Sequence, residues 1–328
     1  MNRLTGFIEV ESGIRIKDTD IWLDPSKKKP FAFISHAHSD HINLRHSCAI
    51  VSHNTALLLR NSFKGEKLIE IDWEKPVKRG NIEFELFPAG HILGSAQIMI
   101  KSEGIRIVYT GDIKVKPSFT AERIQIKQCD VLIIECTYGN PKYLFPEREQ
   151  VAEDLIRFVR RCFAKKITPV ILAYKTGKAQ EVIKILGDAG ISVRVEKSIF
   201  QVTETYRKIG ISLSNYKLFP PFVPYREAII VPPYRIDLIK PILRKKVVFL
   251  SGWALEKKRI EQIGCDIALP LSDHADFSEL LAYILKANPK RIYTVHGDES
   301  FARYLRKEGF DAIHLDSSYV QPTLWGYI

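Results

Sequence analysis

No apolar stretch of this 328-residue chain approaches the roughly 20 residues that cross a bilayer. The first residues, Met1 to Gly6, lack the apolar core of a secretory signal. A cytoplasmic location with no membrane partner is therefore expected. The five cysteines, Cys48, Cys129, Cys136, Cys162 and Cys265, are scattered, odd in number and without a CxxC pair. That excludes a disulfide framework and a cysteine-built zinc knot, and leaves them as small buried hydrophobes. Internal repeats and low-complexity tracts are absent. Acidic residues are the scarcer sign: 38 Asp and Glu against 49 Lys and Arg give a formal net charge of +11. Such an excess suits a polyanionic partner, and equally a basic, solvated surface. The length allows two domains, or one domain carrying a large insertion.

What is present is concentrated in one block. Phe31-Ala32-Phe33-Ile34 reads as a buried strand, and His36-Ala37-His38-Ser39-Asp40-His41 follows it at once. Side chains two apart in an extended segment share a side, so His36 and His38 can grip one cation together. Asp40 and His41 fall where the chain turns and can face a second. Imidazole nitrogen with carboxylate oxygen suits zinc or a similar divalent first-row metal. Alone, the block says two metals and hydrolysis, and it permits small esters, thioesters or lactams as substrates.

The surrounding pattern alternates. Short strands are expected at 7–10, 14–16 and 21–23, then at 82–87, 96–100, 105–110 and 131–134. Strand and helix alternate from about Pro146, as in a parallel sheet covered by helices: helices at 150–163, 178–186 and 200–209, strands at 169–174, 191–195, 228–231 and 247–250. Prolines between Phe219 and Tyr225 mark a loop. The early style returns near Gly264 and ends on a strand at 291–295. One catalytic domain, interrupted by a second, is the expected organisation: 1–145 and 261–328 around an insert at 146–260.

Six of the nine histidines (His36, His38, His41, His91, His274, His296) stand at or just past the end of an expected strand, where α/β architectures place their chemistry. His46, His53 and His314 lack that context and read as surface or satisfied residues. His91 lies between glycines in Gly90-His91-Ile92-Leu93-Gly94. Asp112, in Thr110-Gly111-Asp112, is suited to bridge two cations. The leaving oxygen of a hydrolysed ester still needs a proton, and His274, with Glu135 to orient it and hold it charged, is the candidate donor.

In this order His36 to His41, His91, Asp112, Glu135, His274 and His296 resemble the metallo-β-lactamase superfamily, in its β-CASP nuclease branch. Asp24, in Trp22-Leu23-Asp24-Pro25, matches that family's early supporting aspartate, and Gly177-Lys178-Ala179-Gln180-Glu181 resembles the signature of its inserted domain. The resemblance covers essentially the whole chain. It implies an αββα sandwich with an inserted parallel-sheet α/β domain, and two Zn2+ ions (Mn2+ as a substitute). It further implies that His36, His38 and His91 hold one ion, that Asp40, His41 and His296 hold the other, and that Asp112 bridges them. Asp40, Glu135 and His274 become the catalytic residues. Ser272-Asp273-His274-Ala275-Asp276-Phe277 and Val295-His296-Gly297-Asp298-Glu299 look like the ligase-associated DNA exonucleases. A histidine at 296 is also the habit of the RNA-processing members. DNA is thus the favoured partner and RNA the alternative, with a ligase or helicase of repair, or a second copy of the chain, as protein partners. A non-catalytic scaffold subunit is the reading from another class; the complete ligand set opposes it. Lys175, Thr176 and Lys178, at a strand end opening a helix, are expected to bind phosphate, and Ser251 and Trp253 to meet the substrate, Trp253 by stacking.

Overall fold

The computed structural model describes residues 8–10, 12–220 and 226–315. The expected first strand at 7–10 and the proline passage at 219–225 lie partly outside them. The chain divides into two compact units, one formed by the N-terminal part to Lys142 with the C-terminal part from His274, the other by Tyr143–Asp273.

The first unit opens with a sheet of six strands in sequence order: β1 (Ile8–Val10), β2 (Ile14–Ile16), β3 (Trp22–Leu23), β4 (Phe31–Phe33), β5 (Cys48–Ser52) and β6 (Lys67–Ile71). Helix α1 (His53–Leu59) follows β5, its N-terminus capped by the Ser52 hydroxyl. A second sheet takes β7 (Val77–Arg79), β8 (Ile82–Pro88), β9 (Ala96–Ser102), β10 (Ile105–Tyr109) and β11 (Val131–Glu135).

The second unit then begins. It contains α2 (Arg148–Ala164), β12 (Thr168–Leu172), α3 (Lys178–Asp188), β13 (Val193–Val195), α4 (Lys197–Ile209), β14 (Tyr216–Leu218), β15 (Ala228–Val231), β16 (Lys245–Leu250), α5 (Lys257–Ile263) and β17 (Ile267–Leu269). Its sheet, ordered β14-β13-β15-β12-β16-β17, is parallel throughout. Near-continuous apolar strands such as Ala228–Val231, buried along their whole length, are what a sheet covered on both faces requires. The boundary expected at 260/261 moves: Ile267–Leu269 pairs with β16, so the inserted unit runs to Asp273.

The chain returns to the first unit with α6 (Phe277–Ala287), β18 (Arg291–Val295), α7 (Glu299–Lys307) and β19 (Ala312–His314). The second sheet is completed as β19-β18-β11-β10-β9-β8-β7. Its strands alternate between two cores, because successive side chains leave a strand on opposite faces. Ile107 and Tyr109, Val131 and Ile133, and Tyr293 and Val295 pack against the first sheet. Val108, Leu132, Ile134 and Ile292 pack under Leu280, Tyr283, Phe301 and Leu305 of the last two long helices. Helix α1 covers the outer face of the first sheet through Ala56 and Leu59. The layers are helix, sheet, sheet, helix.

Topology makes the site. β10, β11 and β18 are adjacent and parallel, so Asp112, Glu135 and His296 leave three neighbouring strands at the same end. β9 runs antiparallel to β10, which brings the β8–β9 loop with His91 to that end too. Ala96 N–H donates to Ser35 O at 2.8 Å and ties the His36 block to it.

Candidate metal centre

Asp112 is the focus. It is buried, and its Oδ2 lies 3.3 Å from His41 Nε2, 3.6 Å from His36 Nε2, 3.8 Å from His91 Nε2 and 3.9 Å from His274 Nδ1. Ligand-type atoms within 4.8 Å of one another form three sets that share it: His36, His38, His91 and Asp112; His41, Asp112 and His296; Asp112, Glu135 and His274. Ring centroids of His36 and His41 are 4.3 Å apart, and those of His41 and His296 4.8 Å. Gly111 adopts φ +55°, and a Cβ there would come within 2.5 Å of Ser35 Cβ, so only glycine lets Asp112 approach the His36 strand.

The chemistry of the cluster fits divalent cations. His36 Nε2, His296 Nε2, Asp112 Oδ1 and Asp40 Oδ1 are buried and have no hydrogen-bond partner among the described residues. Buried polar atoms are normally satisfied, and nitrogen and oxygen lone pairs gathered on one point are satisfied by a metal. Asp40 itself is half-buried and falls outside the sets above. His296 sits at φ +59°, a left-handed conformation that costs about 1–3 kcal/mol for a non-glycine residue and marks functional positions.

Electrostatics divides the imidazoles. Burial, reinforced by the facing His41 and His91, holds His36 well below the ordinary histidine range. Burial and His41 also lower His296. Burial pulls His41 the same way, but Asp112 and Asp24 flank it and raise it well above that range. For Asp112 the penalty of burial is outweighed by His41 and His274, and the carboxyl is held well below its usual value.

A supporting layer aims the ligands. Buried Asp24 accepts from Ser35 N–H at 2.7 Å, from the Ser35 hydroxyl at 2.6 Å and from the Tyr109 hydroxyl at 2.9 Å, with His41 Nδ1 at 2.9 Å. Ser35 Oγ is in turn 2.9 Å from His36 Nδ1. Such contacts fix imidazole orientation and tautomer. Burial and Asp24 together push the Tyr109 hydroxyl well above the phenol range. His91 is placed by Ser95, whose Oγ accepts from the N–H groups of His91 and Ile92. Ser35, Ser95 and Tyr109 were not expected from sequence; serine and tyrosine next to a ligand are too ordinary to signal.

Glu135 is fully buried at the end of β11. Its Oε1 accepts from Ile113 N–H at 2.8 Å, and both oxygens lie 3.1 Å from His274 Nδ1. His274 is partly open to solvent. Of the three histidines set aside, His46 is buried, with Nδ1 accepting from Lys29 N–H at 3.1 Å. His53 and His314 meet Glu70 and Thr294.

The expected phosphate contacts fare differently. Lys175 is exposed at the end of β12. Lys178 is buried, donates to Leu271 O at 2.8 Å and ion-pairs with Asp273. The structure corrects that assignment, since burial in an ion pair removes its ammonium from solvent. Thr176 is buried, Ser251 is buried with its hydroxyl accepting from Trp253 N–H, and half-buried Trp253 packs edge-on to Tyr143 at 5.4 Å.

A helix–sheet–sheet–helix sandwich with a His/Asp cluster at one sheet end is the architecture of the metallo-β-lactamase fold. The family model described as beta-lactamase superfamily domain matches residues 25–169, and that described as Zn-dependent metallo-hydrolase RNA specificity domain matches residues 263–315. The chain belongs to the metallo-β-lactamase superfamily, in its β-CASP nuclease branch. A probable DNA ligase of Opitutus terrae is 31% identical over 93% of this chain and 30% of its own length. An RNase J-like protein of Methanocaldococcus jannaschii is 27% identical over 66% of this chain and 64% of its own. The chain thus spans less than two thirds of either relative. A solved Enterococcus faecalis V583 protein of unknown function shares the fold, with a TM-score of 0.57 at 15% identity over 87% of this chain and 79% of that one.

Proposed function

We propose that this chain is a metal-dependent phosphodiesterase that hydrolyses nucleic acid, acting on DNA as an exonuclease and leaving 5′-phosphates. The observation that carries the reading is the convergence of four imidazole nitrogens on Asp112 Oδ2 at 3.3 to 3.9 Å, beside the Glu135–His274 pair. His36, His38 and His91 would hold one zinc and His41, His296 and Asp40 a second, with Asp112 available to both groups. Two bound zinc ions would supply Lewis acidity toward the phosphoryl oxygens and activate water near neutral pH. The residues do the rest. Glu135 accepts a hydrogen bond from His274 Nδ1–H, fixes the ring and stabilises its charged form. The other ring nitrogen then delivers a proton to the leaving oxygen. Asp24 keeps the proton of His41 on Nδ1 and frees Nε2 for a metal. Exposed Lys175 is the retained candidate for a phosphate contact.

The probable DNA ligase, matching nearly the whole chain, supports DNA and a ligase of repair as partner. A specific observation favours a second reading, RNA processing: residues 263–315 match a domain described by RNA specificity. The deciding experiment incubates zinc- or manganese-loaded protein with 5′- and 3′-labelled single- and double-stranded DNA and RNA. Progressive shortening of DNA supports the first reading, and RNA cleavage alone supports the second. Turnover of a small ester with every oligonucleotide intact would overturn both.

A further inference from the structure

The segment after Asp112 is held by a buried ion pair that takes no part in the ligand set. Lys114 Nζ lies 2.7 Å from Glu279 Oε2, and both side chains are about 95% shielded, with exposures of 4% and 5%. Glu279 is the third residue of α6, the helix that His274 leads into. Its Oε1 accepts from Lys116 N–H at 2.5 Å, and its Oε2 from Asp276 N–H at 2.9 Å. Asp276 Oδ1 in turn accepts from Glu279 N–H, closing a capping box. Between these, Ala275 N–H donates to Ile113 O at 2.6 Å, and Ile113 N–H donates to Glu135.

The same short segment is also pinned on its other side. Lys114 N–H donates to Ala89 O, and Gly90, at φ +79°, has no room for a Cβ because Lys114 O would lie 2.3 Å away. The strand end carrying Asp112, the turn carrying His91 and the helix start carrying His274 are thus all laced to residues 113–116. A capping box needs no lysine to form. A lysine buried on it costs desolvation, and what that cation adds is a fixed distance between the Asp112 segment and α6.

The geometry points to Lys114 and Glu279 as positioning residues that set the His274 imidazole against Asp112 and the scissile bond. This rests on the reading of His274 as the proton donor. A displacement of about 1 Å at a reacting group can cost about 100-fold in rate.

The test compares wild type with Lys114→Met and Lys114→Arg in the metal-loaded full chain. Two substrates are used: the nucleic acid cleaved by wild type, and a p-nitrophenyl phosphodiester, whose leaving group needs no proton. Amide exchange at Ala275 and metal content are measured in parallel. For Lys114→Met, kcat on nucleic acid falls about 100-fold with KM and metal content unchanged, while the p-nitrophenyl diester is turned over at nearly the wild-type rate. The Ala275 amide exchanges faster, and Lys114→Arg restores most of both. Should Lys114→Met fail to fold, Lys114→Gln, which keeps a donor toward Glu279, is read the same way. Equal losses on the two substrates, loss of metal, or wild-type kcat with a fast-exchanging Ala275 amide would each overturn the inference. A wild type inactive on both substrates sinks the proposed function instead, and the amide exchange alone then decides whether Lys114 ties the segment.

Discussion

Replacing Asp24 by asparagine tests how the centre is aimed without touching a ligand. The Asp24 carboxylate has four donor-type neighbours: Ser35 N–H on Oδ1, and the Ser35 hydroxyl, the Tyr109 hydroxyl and His41 Nδ1 on Oδ2. An asparagine must turn its NH2 toward one side. Turned toward Oδ1, it faces the Ser35 N–H, which cannot reverse; a buried donor left unpaired costs about 1–3 kcal/mol of stability. Turned toward Oδ2, it meets two hydroxyls that can rotate to accept and one imidazole that can accept only by moving its proton to Nε2. That nitrogen faces Asp112 at 3.3 Å and is the one offered to a metal. The second orientation therefore spares stability at the expense of the proposed second metal, and supporting hydrogen bonds of this kind are worth about 10- to 100-fold in affinity. The assay is competition for zinc against a chelator, with urea unfolding of the metal-free protein alongside. Asp24→Asn should weaken one of two zinc equivalents by that factor or lower the unfolding free energy by about 1–3 kcal/mol. Unchanged affinity at both equivalents with unchanged stability would refute the role assigned to Asp24.

Three further outcomes follow from individual contacts. Glu135→Gln should keep its metal and lose about 10²- to 10⁴-fold in kcat, measured on labelled oligonucleotide; retained activity would remove the Glu135–His274 pair from the chemistry. Lys178→Met should cost about 3–5 kcal/mol by removing the cation from a buried ion pair, while the salt dependence of nucleic-acid binding stays that of wild type; a shallower salt slope would mean that Lys178 meets phosphate after all. His46 is held neutral by burial, its pKa lowered from 6.5 to about 4. Below 6.5 the unfolded chain binds the proton that the folded chain refuses, so stability is lost as pH falls from 6.5 toward 4, by about 2–3 kcal/mol; a His46→Gln variant should show a flatter urea-midpoint profile across that window, and an identical slope would contradict this.

The His/Asp cluster was legible because histidine and aspartate directly after an apolar strand are rare, and because parallel strands such as β10, β11 and β18 end together. Strands with unbroken apolar runs, at 228–231 and 291–295, lie where periodicity puts them. Short half-buried strands do not announce themselves: Ile267–Leu269 joins the inserted sheet through pairing with Val248–Leu250, a tertiary fact. Lys178 misled for a physical reason. A lysine opening a helix after glycine has the form of an anion site, and only the fold brings Asp273, far along the chain, to neutralise it. Tyr109 and Ser35 were silent because their value lies in the buried carboxylate they share, which no local pattern displays.

Anomalous diffraction at the zinc edge, on crystals grown with zinc and soaked free of excess, tests the centre itself. Two ions should appear, one held by His36, His38 and His91, the other by Asp40, His41 and His296, with Asp112 common to both. A single ion, or a second one away from Asp112, would contradict the two-metal phosphodiesterase proposed for this chain.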